Sequence, residues 1–146
     1  MQKRKCTPAA ALTRCNCLAL RQAARQVTQL YDRYLAQDGL RTSQYSILAI
    51  LSRLGPLSIN ELATLMVMDR TTTGRAVRPL ARDRFVTIKA GSDGRTRVVQ
   101  LTSAGEQCVS AASVHWREAQ KQFESAYGVM EAGRLRSVLA AVVAAA

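Results

Sequence analysis

Thr71, Arg75, Arg78 and Arg82 recur at steps of four, three and four residues, a spacing that puts all four on one face of a helix. Three of them are arginines, whose planar donor forks suit phosphate oxygens and the guanine edge, while a threonine offers a base its hydroxyl or its methyl. Arg95 and Arg97 follow at the flank of a turn, Gly91-Ser92-Asp93-Gly94. The chemistry these residues suit is recognition of a polyanion. Catalysis is poorly provided for. His115 is the only histidine, lies beside Trp116 and has no adjacent nucleophile, whereas general-base or zinc chemistry needs more partners. Gly91 and Gly94 fall in a hairpin tip and not in a phosphate-cradling loop. No enzyme, catalytic residue, metal site or cofactor is expected.

The charge supports a polyanionic partner. The 146 residues hold 21 Lys+Arg against 10 Asp+Glu, a formal charge of +11. The excess sits in two blocks: residues 1–33 carry seven basic groups and one acidic, and residues 70–97 carry eight and two. Because the second block combines a helical pattern with a hairpin pattern, it does not read as a membrane-surface helix. The Lys3-Arg4-Lys5 start imitates a signal peptide, but Arg14 and Asn16 interrupt the apolar stretch. The apolar run 138–146 is far shorter than the ~20 residues of a spanning helix. A cytoplasmic protein without membrane contact is expected, and Cys6, Cys15, Cys17 and Cys108 are then free thiols. A sequence-blind nucleic-acid coat is the weaker alternative, since such proteins use aromatic stacking platforms and the basic face offers only Phe85, which reads as core.

The elements that must position these residues are legible. Leu20, Ala23, Ala24, Val27, Leu30, Tyr31, Tyr34 and Leu35 follow helical spacing up to a stop at Asp38-Gly39. Thr42 is expected to cap a second helix burying Tyr45, Leu48, Leu51 and Leu54, which Gly55-Pro56 ends. Ser58 and Glu61 form a capping-box pattern for a short third helix. Asp69 is expected to cap a fourth, with Thr73, Val77, Leu80 and Ala81 inward and the arginine row outward. Pro79 predicts a bend there, or two helical pieces. Residues 85–89 and 97–101 read as a hairpin, and Thr102 caps a long fifth helix, 103–127. Its stripe of Val109, Ala112, Trp116, Ala119, Phe123 and Ala126 is longer than one small module covers, so part of it is expected to pack on another chain. A sixth helix closes the chain after Gly128.

Short helices followed by a basic hairpin is the element order of a winged helix-turn-helix, in which the helix from Asp69 enters the major groove. Thr71, Thr72 and Arg75 are best placed for bases, and Gly74 suits close packing or close approach of DNA.

The runs Leu57-Ser58-Ile59-Asn60-Glu61-Leu62-Ala63, Asp69-Arg70-Thr71-Thr72-Thr73-Gly74-Arg75 and Asp93-Gly94-Arg95 through Leu101-Thr102-Ser103-Ala104-Gly105 resemble the MarR family of bacterial transcriptional regulators. The resemblance implies a mainly α fold with a small β-hairpin, a single domain over 1–146. Within it, 40–102 would form the winged helix, with 12–38 and 103–146 as flanking dimerisation helices. It implies a homodimer on a pseudo-palindromic double-stranded operator, acting as a repressor released by a small phenolic or aromatic-acid effector near the junction of the two regions. DNA contacts are expected from Ser58, Asn60, Arg70, Thr71, Thr72, Thr73, Arg75, Arg78, Arg95 and Arg97, with Asp69 pairing with a wing arginine.

Cys15-Asn16-Cys17 reads either as small residues packed at a helix start or as a redox or soft-metal sensor. On a regular helix the two point about 200° apart and cannot share an ion or a bridge. Cys15, Cys17, Arg21 and Tyr45 are the effector or redox candidates.

Overall fold

The computed structural model describes residues 14–146, so Cys6, the Lys3-Arg4-Lys5 cluster and the start of the 12–38 segment lie outside the described residues. Helix α1 (Asn16–Leu35) starts four residues before the periodic stripe, with Cys15 as its N-cap. A 3-10 turn, Ala36–Asp38, then leads to Gly39 at φ 68°, the left-handed angle glycine tolerates.

The start of α2 (Thr42–Leu54) differs from expectation. Arg41 and not Thr42 is the N-cap, and Gln44 closes the end by accepting the Arg41 N–H at 2.9 Å. Thr42 works across elements instead: its N–H and hydroxyl both donate to Asp32 Oδ1, at 2.7 and 2.6 Å, tying α2 to α1. Ile47 is fully buried while Leu54 is 60% exposed. Because α2 packs against both the helix Arg70–Arg82 and the helix Ser103–Tyr127, its apolar face is wider than one stripe.

Then follow β1 (Leu57–Ser58), α3 (Ile59–Met66), α4 (Arg70–Arg82), β2 (Val86–Ala90), β3 (Arg97–Leu101), α5 (Ser103–Tyr127) and α6 (Val129–Ala145). The hairpin gains a third antiparallel strand in the order β1-β3-β2, with Leu57 and Ile88 opposite Val99 on either side. Two residues are too few to show strand alternation, and the capping box beside them reads as a helix start. Despite Pro79, α4 runs as one helix. The proline sits in its last turn, where only the bond to the Arg75 carbonyl is lost, and Asp83 N–H still donates to the Pro79 carbonyl at 2.9 Å.

Leu35, Ile47, Leu48, Leu62, Val77, Leu80 and Val99 are buried together and weld α1 to α4 and the sheet into one core. Polar ties fix the long helices. Tyr31 donates its hydroxyl to Gln120, and His115 Nδ1 lies 2.7 Å from Asp38 Oδ2, joining α5 to the turn after α1. At the foot of the sheet the Thr102 N–H donates to the Phe85 carbonyl at 3.0 Å. Gly105 packs so close to that carbonyl that a Cβ would collide with it.

One face is left apolar and open. Val138, Val142 and Val143 of α6 are 60, 47 and 56% exposed, beside a cavity of about 420 Å³ lined by Leu20, Val27, Phe123, Leu135 and Leu139. Among the described residues no helix is long and apolar enough to cross a membrane.

Candidate nucleic-acid interface

The turn into α4 is built from its ends. Ser58 caps α3: its hydroxyl accepts the Glu61 N–H at 3.1 Å while Glu61 takes the Ser58 N–H at 2.7 Å. The backbone hydrogen bond from Ser58 holds the Glu61 carboxyl below its ordinary range. Val67 closes α3 at φ 53°, a left-handed angle rare for a β-branched side chain. No glycine or asparagine marks that turn, so the sequence carries no local sign of it. Met68 N–H on the Ala63 carbonyl, at 2.9 Å, holds it shut.

Asp69 caps α4 and sorts the three threonines that follow. Its carboxylate accepts the Thr72 N–H at 2.8 Å and the Thr72 hydroxyl at 2.6 Å, and the Thr72 hydroxyl is the first cause of its lowered pKa. The expected pairing of Asp69 with a wing arginine is not formed among the described residues; its carboxylate serves the cap through both oxygens. Thr73 corrects a second expectation. It is fully buried, and its hydroxyl donates to the Asp69 carbonyl at 2.9 Å, so it belongs to the core and not to a DNA-facing surface. Thr71 and Thr72 remain exposed, as do Arg70, Arg75, Arg78 and Arg82.

The wing tip is organised by Asp93. One carboxylate oxygen accepts the N–H groups of Arg95 and Thr96, at 2.9 and 2.8 Å, and the other the Thr96 hydroxyl. The Thr96 hydroxyl leads the causes that lower the Asp93 pKa. Gly94 at φ 69° completes the turn. With Asp93 engaged by backbone, the Arg95 side chain projects into solvent.

Between α4 and the wing lies a cleft of about 670 Å³, walled by Arg70, Arg75, Arg78 and Arg97, with Ile88, Thr71 and Gly74. Among the described residues none of these arginines, nor Arg95, pairs with a carboxylate. Gly74 sits mid-helix at a helical angle, where glycine costs about 1 kcal/mol relative to alanine. A Cβ there meets no heavy atom of the described residues within 4 Å, which removes close packing as its reason. Ser58 is half-buried and engaged in its cap, whereas Asn60 is exposed at the start of α3.

The effector and redox candidates lie elsewhere. Tyr45 is buried, stacks on Trp116 with centroids 6.1 Å apart, and burial raises its hydroxyl pKa. It lines a cleft of about 340 Å³ between α2 and α5, with Arg53, Ser110 and Glu106. Cys15 and Cys17 are exposed in the single chain, neither buried against another of its elements. Cys15 stands outside the helix in extended backbone, its Sγ accepting the Leu18 N–H at 3.4 Å. Burial raises the pKa of the half-buried Cys108. Arg21 is exposed on α1.

These features have counterparts. The model of the MarR family matches residues 40–96. A curated relative, the HTH-type transcriptional regulator YwoH of Bacillus subtilis (strain 168), is 28% identical over 88 residues, 60% of this chain and 64% of that protein, so the match spans less than two thirds of YwoH. The Mycobacterium tuberculosis transcriptional regulator MosR, solved in complex with DNA, superposes with a TM-score of 0.82 at 34% identity, covering 90% of this chain and 95% of that one. A probable transcriptional regulator from Pseudomonas aeruginosa gives 0.77 at 30% identity, covering 85 and 93%. The family and its fold are those of regulators and not of enzymes. With the winged helix, the basic α4 face and near full-length similarity agreeing, the chain belongs to the MarR family of transcriptional regulators.

Proposed function

We propose that the protein is a homodimeric repressor that reads a pseudo-palindromic operator with α4 and steadies itself on the duplex through the wing. The observation that carries this reading is that Arg70, Arg75 and Arg78 on α4 and Arg95 and Arg97 on the wing are exposed and without carboxylate partners among the described residues. Thr71, Thr72 and Arg75 face base edges, while Arg70, Arg78, Arg95, Arg97 and Asn60 contact backbone; Ser58 contributes by capping α3. The DNA-bound MosR supports it, at 34% identity over almost its whole length. The open apolar face of α1, α5 and α6 supports the dimer, because a contiguous patch of this kind marks an association surface. The dimer acts in the cytoplasm, without membrane contact.

Selection from a random duplex library followed by footprinting tests the reading. The expected site is two-fold symmetric, with half-sites about one helical turn apart and affinity falling steeply with salt. Arg75→Ala is expected to cost about 1–3 kcal/mol and to relax one base position. Equal affinity for selected and random duplexes at every salt concentration refutes it in favour of a sequence-blind coat.

Release by an aromatic carboxylate is assigned to the α2–α5 cleft, where Tyr45 offers a ring and Arg53 a cation. A thermal-shift screen of aromatic acids checks this, since a ligand that binds the folded state raises the midpoint. The second reading, thiol sensing, is favoured by one observation: Cys15 and Cys17 are both exposed, with Cys15 outside the regular helix. Complete oxidation of both thiols with operator affinity unchanged removes it.

A further inference from the structure

Gly74 is unexplained by the chain itself. Its backbone angle is one that any residue adopts, and a Cβ would meet no atom of the described residues. Mid-helix glycine only weakens α4. Its reason therefore lies in something that comes to the helix from outside, and the cleft it lines indicates what. Arg70, Arg75, Arg78 and Arg97 line it together with two isoleucines, Ile59, which is buried, and Ile88, which is 40% exposed on the wing. Cations around an apolar floor match a sugar-phosphate strand, whose phosphates are anionic and whose deoxyribose edge is apolar. The position agrees. When a helix lies in the major groove and a wing reaches toward the minor groove, the backbone ridge dividing the grooves passes between them.

We propose that the cleft between α4 and the wing seats one sugar-phosphate strand of the duplex, and that Gly74 is the notch that lets this strand approach the helix. The proposal rests on the reading of α4 as the DNA-facing helix. Because phosphate contacts carry no sequence information, the notch governs affinity on all duplexes and leaves base preference alone.

The test is Gly74→Ala in the full chain, with operators and base preferences taken from random-library selection. The thermal midpoint is expected to rise by about 2–6 °C. Affinity is expected to fall about tenfold on every sequence, the cost of one lost charge-assisted contact. The salt slope falls by about one, and the ranking of base substitutions and the mass of the particle stay unchanged. Wild-type affinity overturns the proposal. So does a changed base ranking, which makes position 74 a base contact, a changed particle mass, which makes it a contact between copies, or a lowered midpoint, which makes it an internal packing site. Arg75→Ala run in parallel separates the two levels. If it relaxes base preference while Gly74→Ala binds as wild type, only the notch fails; if neither variant alters binding, the DNA-facing reading of α4 fails with it.

Discussion

Val142→Asp probes the apolar face proposed to carry the dimer. Val142 is 47% exposed in the single chain, so about half of its side chain is still to be buried on association. Full burial of a valine contributes about 1.5–2 kcal/mol, and the outstanding half about 1 kcal/mol. In a two-fold interface each substitution occurs twice, so the lost burial amounts to about 2 kcal/mol, or ~30-fold in dimer Kd. Two carboxylates brought into an apolar contact add desolvation, which makes ~30-fold the lower bound. Sedimentation from nanomolar to micromolar protein reads this directly, and far-ultraviolet circular dichroism checks that the helices survive, as they should for a half-exposed position on α6. Operator affinity is expected to fall with dissociation, since a lone protomer engages one half-site. A mass–concentration curve identical to wild type refutes the assignment of this face to the dimer.

Arg95→Ala is expected to weaken binding equally on all duplexes and to lower the salt slope by about one, because Asp93 holds the tip and leaves this side chain to the backbone; a base-dependent loss contradicts it. Thr73→Val is expected to leave operator affinity at the wild-type value and to move only the thermal midpoint, because its hydroxyl faces the Asp69 carbonyl in the core; lost binding in a fully folded variant refutes this. Asp69, Asp93 and Glu61 have lowered native pKa values, so the unfolded chain takes up protons first. The stability they supply is present above the ordinary carboxylate range, near ~4, and is lost as pH falls toward their native values. Denaturant titrations from pH 6 to 3 check it, and for Asp69→Asn, which keeps an acceptor at the cap, part of the acid slope is expected to vanish.

How much was legible in the chain follows from how each element is specified. The length of α5, the Ser58–Glu61 cap and the outward arginine row rest on contacts within four residues, which periodicity shows, and the hairpin on two β-rich runs joined by a short glycine-bearing turn. Asp69 was recognisable as a cap, yet its second hydrogen bond, to the Thr72 hydroxyl, was not. Thr73 follows two exposed threonines, so type alone does not separate them; its register with Val77 and Leu80 placed it inside, while the family resemblance placed it at the DNA. Val67 carries no local sign, because the turn is closed by backbone bonds that any residue can make, and β1 carries none because a strand partner forty residues away specifies it. Ile47 fell outside the expected stripe because α2 is covered on two sides.

The close seating of Gly105 under the Phe85 carbonyl, with Thr102 bonded to the same oxygen, makes the root of the wing and the root of α5 one rigid joint. Helix α5 is then a lever of 25 residues, about 37 Å long. A tilt of about 5° at its far end, where the copies would meet, carries the wing about 3 Å along or away from the duplex. Against half-sites set about 34 Å apart, that is enough to bring a reading head out of register while each head stays folded as it was.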